Sequence, residues 1–206
     1  MTQTTDRAYE WTKGQLLDGQ FVGGELISEG QIAEELGVSR TPVREAFLRL
    51  QAEGFLELYP KRGAIVVPVG LGEARAVGEA RLMVEDFALA AVAARGAAAL
   101  SKLGADLLKR LDADSESQLA GLGFHEKLVA AAGNPLIADM FRNLCDRHLR
   151  LVAAAVGTYG PDGDAEEHRE LAELIAAGRV DEAATALRRH LAALFGVAPA
   201  RPRDLV

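Results

Sequence analysis

Apolar positions recur first at helical spacing, then in two short extended runs, then at helical spacing again to near the end of the chain. Residues 4–18 predict an opening helix that turns Trp11, Leu16 and Leu17 inward, broken by Gly19 and Gly23-Gly24. Residues 28–36 predict a short helix with Ile32, Ala33 and Leu36 inward, and Gly37 supplies the freedom for a tight corner. A second short helix follows, with Thr41 as its cap and Pro42 in its first position. Val43, Phe47 and Leu50 form its buried face. Residues 54–59 and 64–67 read as short strands around the tip Pro60-Lys61-Arg62-Gly63, and Pro68-Val69-Gly70 reads as a linker. Beyond it, alanine-rich helices are predicted over 71–95, 97–112, 115–132, 135–156, 164–177 and 180–195. Breaks fall at Gly96, near 112–114, at Gly133-Asn134, over 157–163 and at Gly178.

The charge pattern gives the first part a use. Arg40, Arg44 and Arg49 stand off the apolar stripe of their helix, and Lys61 and Arg62 occupy the hairpin tip. Support helix, corner, basic helix and basic hairpin make a winged helix-turn-helix over residues 1–68. A helix with one face in a small core and arginines at its start suits reading of the major groove. An ordinary amphipathic helix with solvated arginines would share the local pattern. The expected fold is therefore mainly α: a winged helix with a small β hairpin, an all-α bundle of about six helices over 69–198, and a disordered tail over 199–206.

Composition narrows the setting. A chain of 206 residues with 49% hydrophobic content allows one or two cored domains. The net charge is −7, which is not the footprint of a bulk nucleic-acid binder. Residues 39–63 hold 5 Lys or Arg against 3 Asp or Glu, a local net of +2, so the cations must act through placement. The single cysteine, Cys145, excludes an internal disulfide and sits in an apolar stripe as a small hydrophobe. The polar first residues carry no apolar signal region, and no apolar run approaches the ~18 residues of a membrane span, so a cytoplasmic protein without membrane association is expected.

All four histidines fall on core-facing stripes of the bundle helices. His125 is in register with Leu122, Leu128 and Val129, His168 with Leu171 and Ile175, and His190 with Leu187, Leu191 and Leu194. His148 follows Phe141, Leu144 and Cys145. A buried imidazole left without partners costs about 1–3 kcal/mol. Each could bond a local carbonyl or carboxylate, or several could share a metal ion in the bundle core. Spacings of 43 and 22 residues form no compact metal motif. Arg81 lies between Val77 and Val84, close to the inward face. It could grip a carboxylate ligand bidentately or pair with Glu85 four residues on.

Two stretches carry a resemblance. Leu36-Gly37-Val38-Ser39-Arg40-Thr41-Pro42-Val43-Arg44-Glu45-Ala46-Phe47-Leu48-Arg49-Leu50, within a match over about 8–68, resembles the GntR family of bacterial transcription regulators. The bundle resembles the ligand-binding FCD (FadR C-terminal) domain of that family's FadR branch. The matching pieces are Glu79–Glu85, Phe124-His125 with Ala132-Gly133-Asn134-Pro135, Glu167-His168 and His190-Leu191. The resemblance implies one divalent metal held by His125, His168 and His190, with a carboxylate effector beside it. The usual aspartate ligand is missing, with Gly121 in its place. Asp114 and Glu116 lie further back, and His148 is a possible substitute. A three-histidine set favours zinc or nickel over harder ions.

These residues imply a mode of action. Arg40 and Arg44 would reach base edges of a double-stranded operator, and Ser39, Thr41 and nearby amides would hold phosphates. Arg49 counts with the basic helix, and Lys61, Arg62 and Gly63 would set the wing against the DNA. Gly30 replaces a support-helix arginine that adds a contact in some relatives. One winged helix reads a short half-site, so a homodimer on a palindrome is expected. A small carboxylate effector would contact Arg81, His148 and Asn134. Repression is the family's usual mode. Two alternatives stay open: a three-histidine metal enzyme, although Glu126 and Glu167, next to His125 and His168, point to other helix faces than a general base would need, and an effector-free regulator with structural histidines.

Overall fold

The computed structural model describes residues 3–113, 120–154 and 165–195. Its chain forms two compact units. Among the described residues, the first comprises 3–70 and 149–154, and the second 71–148 and 165–195.

The first unit contains α1 (Gln3–Leu17), β1 (Leu26–Ile27), α2 (Glu29–Leu36), α3 (Arg40–Ala52), β2 (Leu56–Tyr59) and β3 (Gly63–Val66). The strands form an antiparallel sheet in the order β1-β3-β2, with Leu58 opposite Ala64 and Ile27 also opposite Ala64. β1 was not foreseen, because two residues are too few to carry an alternating pattern. Its approach explains Gly63, whose φ of 119° and closeness to the Ile27 carbonyl leave no room for a Cβ. The core joins Ala8, Tyr9 and Leu16 to Ile32, Leu36, Val43, Phe47, Leu50, Phe55, Leu56 and Val66.

Local chemistry sets the ends of the two central helices. Ser28 closes a capping box: its hydroxyl accepts from the Gln31 amide, and the Gln31 side chain accepts from the Ser28 amide. Gly37 ends α2 at φ 64°, with its N–H reaching Ala33 and Glu34. The cap of α3 differs from expectation. Ser39 is the N-cap residue, without a side-chain cap bond, and Arg40 opens the helix. Thr41 and Pro42 are thus its second and third residues, still within the turn that needs no intrahelical N–H donor.

The inward face of α1 also differs. Thr5, Ala8, Tyr9, Thr12 and Leu16 are buried, whereas Trp11 and Leu17 are half-buried. Apolarity misled because polar groups on this face are bonded. The Thr5 hydroxyl donates to Glu45 at 2.7 Å, Thr12 donates to the Ala8 carbonyl, and Tyr9 donates to Glu53 at 2.8 Å. Trp11 instead meets Phe21 edge-on at the rim.

The second unit is built from α4 (Leu71–Ala93), α5 (Ala97–Ala113), α6 (Ala120–Ala130), α7 (Pro135–Ala153) as far as His148, α8 (Ala165–Ala176) and α9 (Val180–Phe195), six helices among the described residues. α5 lies directly on α8 where Gly104 meets Ala176, and α4 lies on α9 where Gly78 meets Phe195. A Cβ at either glycine would push the pair apart. The core strings Leu89, Leu107, Phe124, Leu128, Phe141, Leu171, Ile175, Leu187 and Leu191 through these helices. The expected tail over 199–206, the break over 157–163 and the fallback acids Asp114 and Glu116 lie outside the described residues.

Candidate functional site

Each unit carries one candidate site. In the first, the start of α2, the start of α3 and the β2–β3 tip surround a groove of about 620 Å³. Arg40, Arg44, Lys61, Arg62 and Gly63 line it, together with Glu29, Gly30 and Tyr59. Arg40 and Arg44 are exposed one turn apart on α3, because the same helix turns Val43, Ala46, Phe47 and Leu50 into the core. Ser39 and Thr41 are exposed beside Arg40. Lys61 holds the tip at φ 63°, a left-handed conformation that costs a non-glycine residue energy. The Arg62 amide closes the turn on the Tyr59 carbonyl.

Arg49 stands elsewhere. Its guanidinium stacks 3.5 Å from the Tyr9 ring centre and pairs with Asp6 and Glu53. It thus works between α1 and α3, and its sequence reading as part of the DNA-binding set overlooked these partners. Gly30 does more than lack an arginine. A Cβ there would stand 3.2 Å from Arg40 Nη2, so the Arg40 side chain occupies the space.

In the second unit His125 from α6, His168 from α8 and His190 from α9 converge in the core, 0%, 2% and 4% exposed. Their Nε2 atoms face one another: His125 to His190 at 3.2 Å and His168 to His125 at 3.1 Å. One potential ligand atom from each of the three lies within 4.8 Å of the others. The far sides of two rings are fixed by carboxylates. Glu85 Oε2 lies 2.5 Å from His125 Nδ1, and Glu167 Oε2 lies 2.8 Å from His190 Nδ1. A carboxylate accepts, so each ring carries its proton on Nδ1 and a lone pair on Nε2. Two such lone pairs at 3.2 Å repel unless a proton or a metal ion lies between them. Tetrahedral zinc with bonds of about 2.0–2.1 Å would space its nitrogen ligands by about 3.3 Å. The donor set therefore fits a divalent ion, with carboxylates behind two of the ligands.

Arg81 continues this chain of contacts. It is fully buried on α4, donates from Nε to Glu85 at 3.0 Å and from Nη1 to His148 Nδ1 at 2.7 Å. The ion pair with Glu85 that the spacing allowed is present. Burial pushes the Glu85 carboxyl upward from its usual range, against the pull of the Arg81 guanidinium and the imidazoles. A guanidinium cannot deprotonate, and buried beside it Glu85 is the negative partner that makes the pair tolerable.

The remaining expectations divide. His148 does not join the three histidines as a substitute ligand, because Arg81 donates to its Nδ1 and Phe195 packs on its ring. Arg81 and His148 are brought together, but Asn134 is not brought to them. Asn134 is exposed just before α7, and its side-chain oxygen accepts from the Leu136 and Ile137 amides. Gly121 is buried on α6 and offers no ligand. Sequence reasoning missed the orienting roles of Glu85 and Glu167. The spacing from Arg81 pointed to Glu85, but Glu167 reaches a ring on the next helix and had no local signal.

Comparison with known proteins matches both parts of the chain to described domains. The model for "Bacterial regulatory proteins, gntR family" matches residues 4–66, and the FCD domain model matches residues 76–193. An uncharacterized HTH-type transcriptional regulator in an unstable DNA locus of Streptomyces ambofaciens is 30% identical, over 95% of this chain and 87% of its own length. A probable D-xylose utilization operon transcriptional repressor of Paenarthrobacter nicotinovorans is 29% identical over 94% of this chain and 88% of its own. In fold, the chain is similar to a putative GntR regulator from Rhodococcus sp. RHA1 (TM-score 0.68, 23% identity, 96% of this chain and 100% of that one). These relatives are regulators, and the enzyme alternative falls with that. No described helix is long and apolar enough to cross a membrane. The chain belongs to the GntR family of transcriptional regulators, in the branch that couples a winged helix to an FCD domain.

Proposed function

We propose that this regulator is a cytoplasmic, homodimeric repressor that binds a palindromic operator and answers to a small carboxylic acid held beside a metal ion in the helical unit. The observation that carries the metal reading is the facing of His125 and His190 Nε2 at 3.2 Å, with both Nδ1 positions tied to carboxylates. A bound zinc or nickel ion would be held by His125, His168 and His190 and would offer open coordination positions to an acid's oxygen atoms. Arg81, one carboxylate away from His125, would give the acid a second hold. His148 accepts from Arg81 at Nδ1, so it keeps a proton on Nε2 and can donate to an anion.

Arg40 and Arg44 read base edges, most favourably guanines, while Ser39, Thr41, Lys61 and Arg62 hold phosphates. A second copy doubles the half-site. α4 offers a surface for it, with Met83 63% and Phe87 48% exposed one turn apart. An acid that binds the two states of the dimer unequally shifts operator affinity by that difference and no more.

Elemental analysis of untagged protein beside His168→Ala tests the site. Near-stoichiometric zinc or nickel in the parent, lost in the variant, is the expected result, and no metal in either overturns the metal reading. Citrate, a chelating carboxylate, is then titrated into the protein–DNA complex. Operator release in the parent but not in Arg81→Lys, which keeps a cation beside Glu85 and loses the planar fork, is expected.

A further inference from the structure

Glu29 is the exception in the reading groove, whose other charged lining residues are Arg40, Arg44, Lys61 and Arg62. A carboxylate there opposes the phosphate contacts that supply most of a protein's affinity for DNA. Its position as the first residue of α2 suits the helix dipole, but an acid at Gln31, the capping-box position, would serve that purpose too. The groove position therefore needs another reason.

That reason lies in its neighbours. Glu29 Oε1 stands 3.9 Å from Arg44 Nε, and the Arg44 side chain is 71% exposed. A surface pair of this kind adds little to stability. It does act on the Nε edge of the guanidinium, which leaves the two terminal amino groups for a base. Next to it, Gly30 leaves room for Arg40 Nη2, which stands 3.2 Å from where a Cβ would be. The first two residues of α2 thus stand beside both groove-lining arginines of α3.

We propose that Glu29 is a specificity-determining residue that steers Arg44 toward a base edge and penalises complexes in which Arg44 turns to phosphate. The inference rests on the DNA-reading role given to Arg44 above. In a matched complex Arg44 keeps Glu29 and gains the paired acceptors of a guanine. In a mismatched complex Arg44 swings to the backbone, and Glu29 faces phosphate without its partner. The carboxylate therefore lowers affinity for all duplexes, and lowers it least where the base is right.

The test is selection from a pool of random duplex DNA by the full-length parent, Glu29→Gln, Glu29→Asp and Glu35→Gln. Glu35 is exposed on the same helix outside the groove, so its variant controls for the charge change alone. Glu29→Gln is expected to bind unrelated duplexes about threefold more tightly than the parent. It should also lose about tenfold in base preference at one position of the selected motif. Glu29→Asp, charged but too short to reach Arg44, should lose the preference without the gain in bulk affinity. Glu35→Gln should keep the parental motif. An unchanged motif and undiminished preference in Glu29→Gln overturns the inference, as does equal weakening on every duplex. A parent that enriches no motif overturns the DNA-reading role itself, and this inference with it.

Discussion

The reading groove and the histidine centre are opposite solutions to placing charge. In the groove the arginines are exposed, and their one ion pair among the described residues is the 3.9 Å contact of Arg44 with Glu29. In the helical unit, Arg81, Glu85 and His125 are 0% exposed, and the contacts that link Arg81 to Glu85 and His148, and Glu85 to His125, run from 2.5 to 3.0 Å. Water pays the solvation of the groove until DNA replaces it, so its side chains can stay loose. Burial allows no such delay: each polar atom needs its partner built in, because an unpaired buried charge costs several kcal/mol. A mutation should therefore change stability in the centre and only binding in the groove.

Arg81→Met is the largest test of that contrast. It leaves Glu85 buried without its cation, and should cost about 3–5 kcal/mol in urea denaturation. The double variant Arg81→Met/Glu85→Leu should recover much of the loss, since apolar replacements remove the stranded charge as well. A single variant as stable as the parent would break the comparison. Arg44→Ala comes next, with the sign of the contrast reversed. It should cost about 1–3 kcal/mol in operator binding and relax one base position. Its urea midpoint should stay put, because exposed substitutions usually move stability by less than about 0.5 kcal/mol. Unchanged operator affinity would remove α3 from its reading role. Glu167→Ala sharpens the comparison within the centre. Glu167 touches His190 from a half-buried position, so the fold should tolerate its loss. Zinc affinity, read by chelator competition, should drop about 10–100-fold, the usual effect of removing a carboxylate behind a ligand. Unaltered affinity would mean that the helices alone hold the ring.

The same contrast explains what could be read in the sequence. Groove residues are local: Arg40 and Arg44 lie on one helix, and Lys61 to Gly63 at one hairpin tip, so spacing sufficed to collect them. The three histidines were legible because each interrupts an apolar stripe, a choice that needs a reason inside a core. Their second row was only half legible. Glu85 shares a helix face with Arg81, whereas Glu167 serves a ring 23 residues away across the α8–α9 pair. Thr5, Tyr9 and Thr12 escaped for a related reason: their partners Glu45, Glu53 and Ala8 decide that polar groups can face inward. Asn134 and Arg49 show the converse case. Both have residue types that suit a ligand or a phosphate, and both are occupied with helix ends and packing.

Lys61→Gly gives the smallest effect and tests whether the groove's looseness reaches its backbone. Lys61 holds φ 63°, where a side chain is strained and glycine is not. Nothing in its exposure explains why a lysine should stand there for stability. The substitution should stabilise the winged unit by about 1 kcal/mol or less, since glycine relieves the strain but adds freedom to the unfolded chain. At the same time one cation leaves the wing. Binding to duplex DNA should weaken, and the slope of log affinity against log salt should fall by about one. A chain that becomes more stable while binding less well would show strain kept for the sake of a phosphate contact. Lower stability would mean instead that the fold, and not DNA, holds the lysine in place, and an unchanged salt slope would take the wing tip off the DNA altogether.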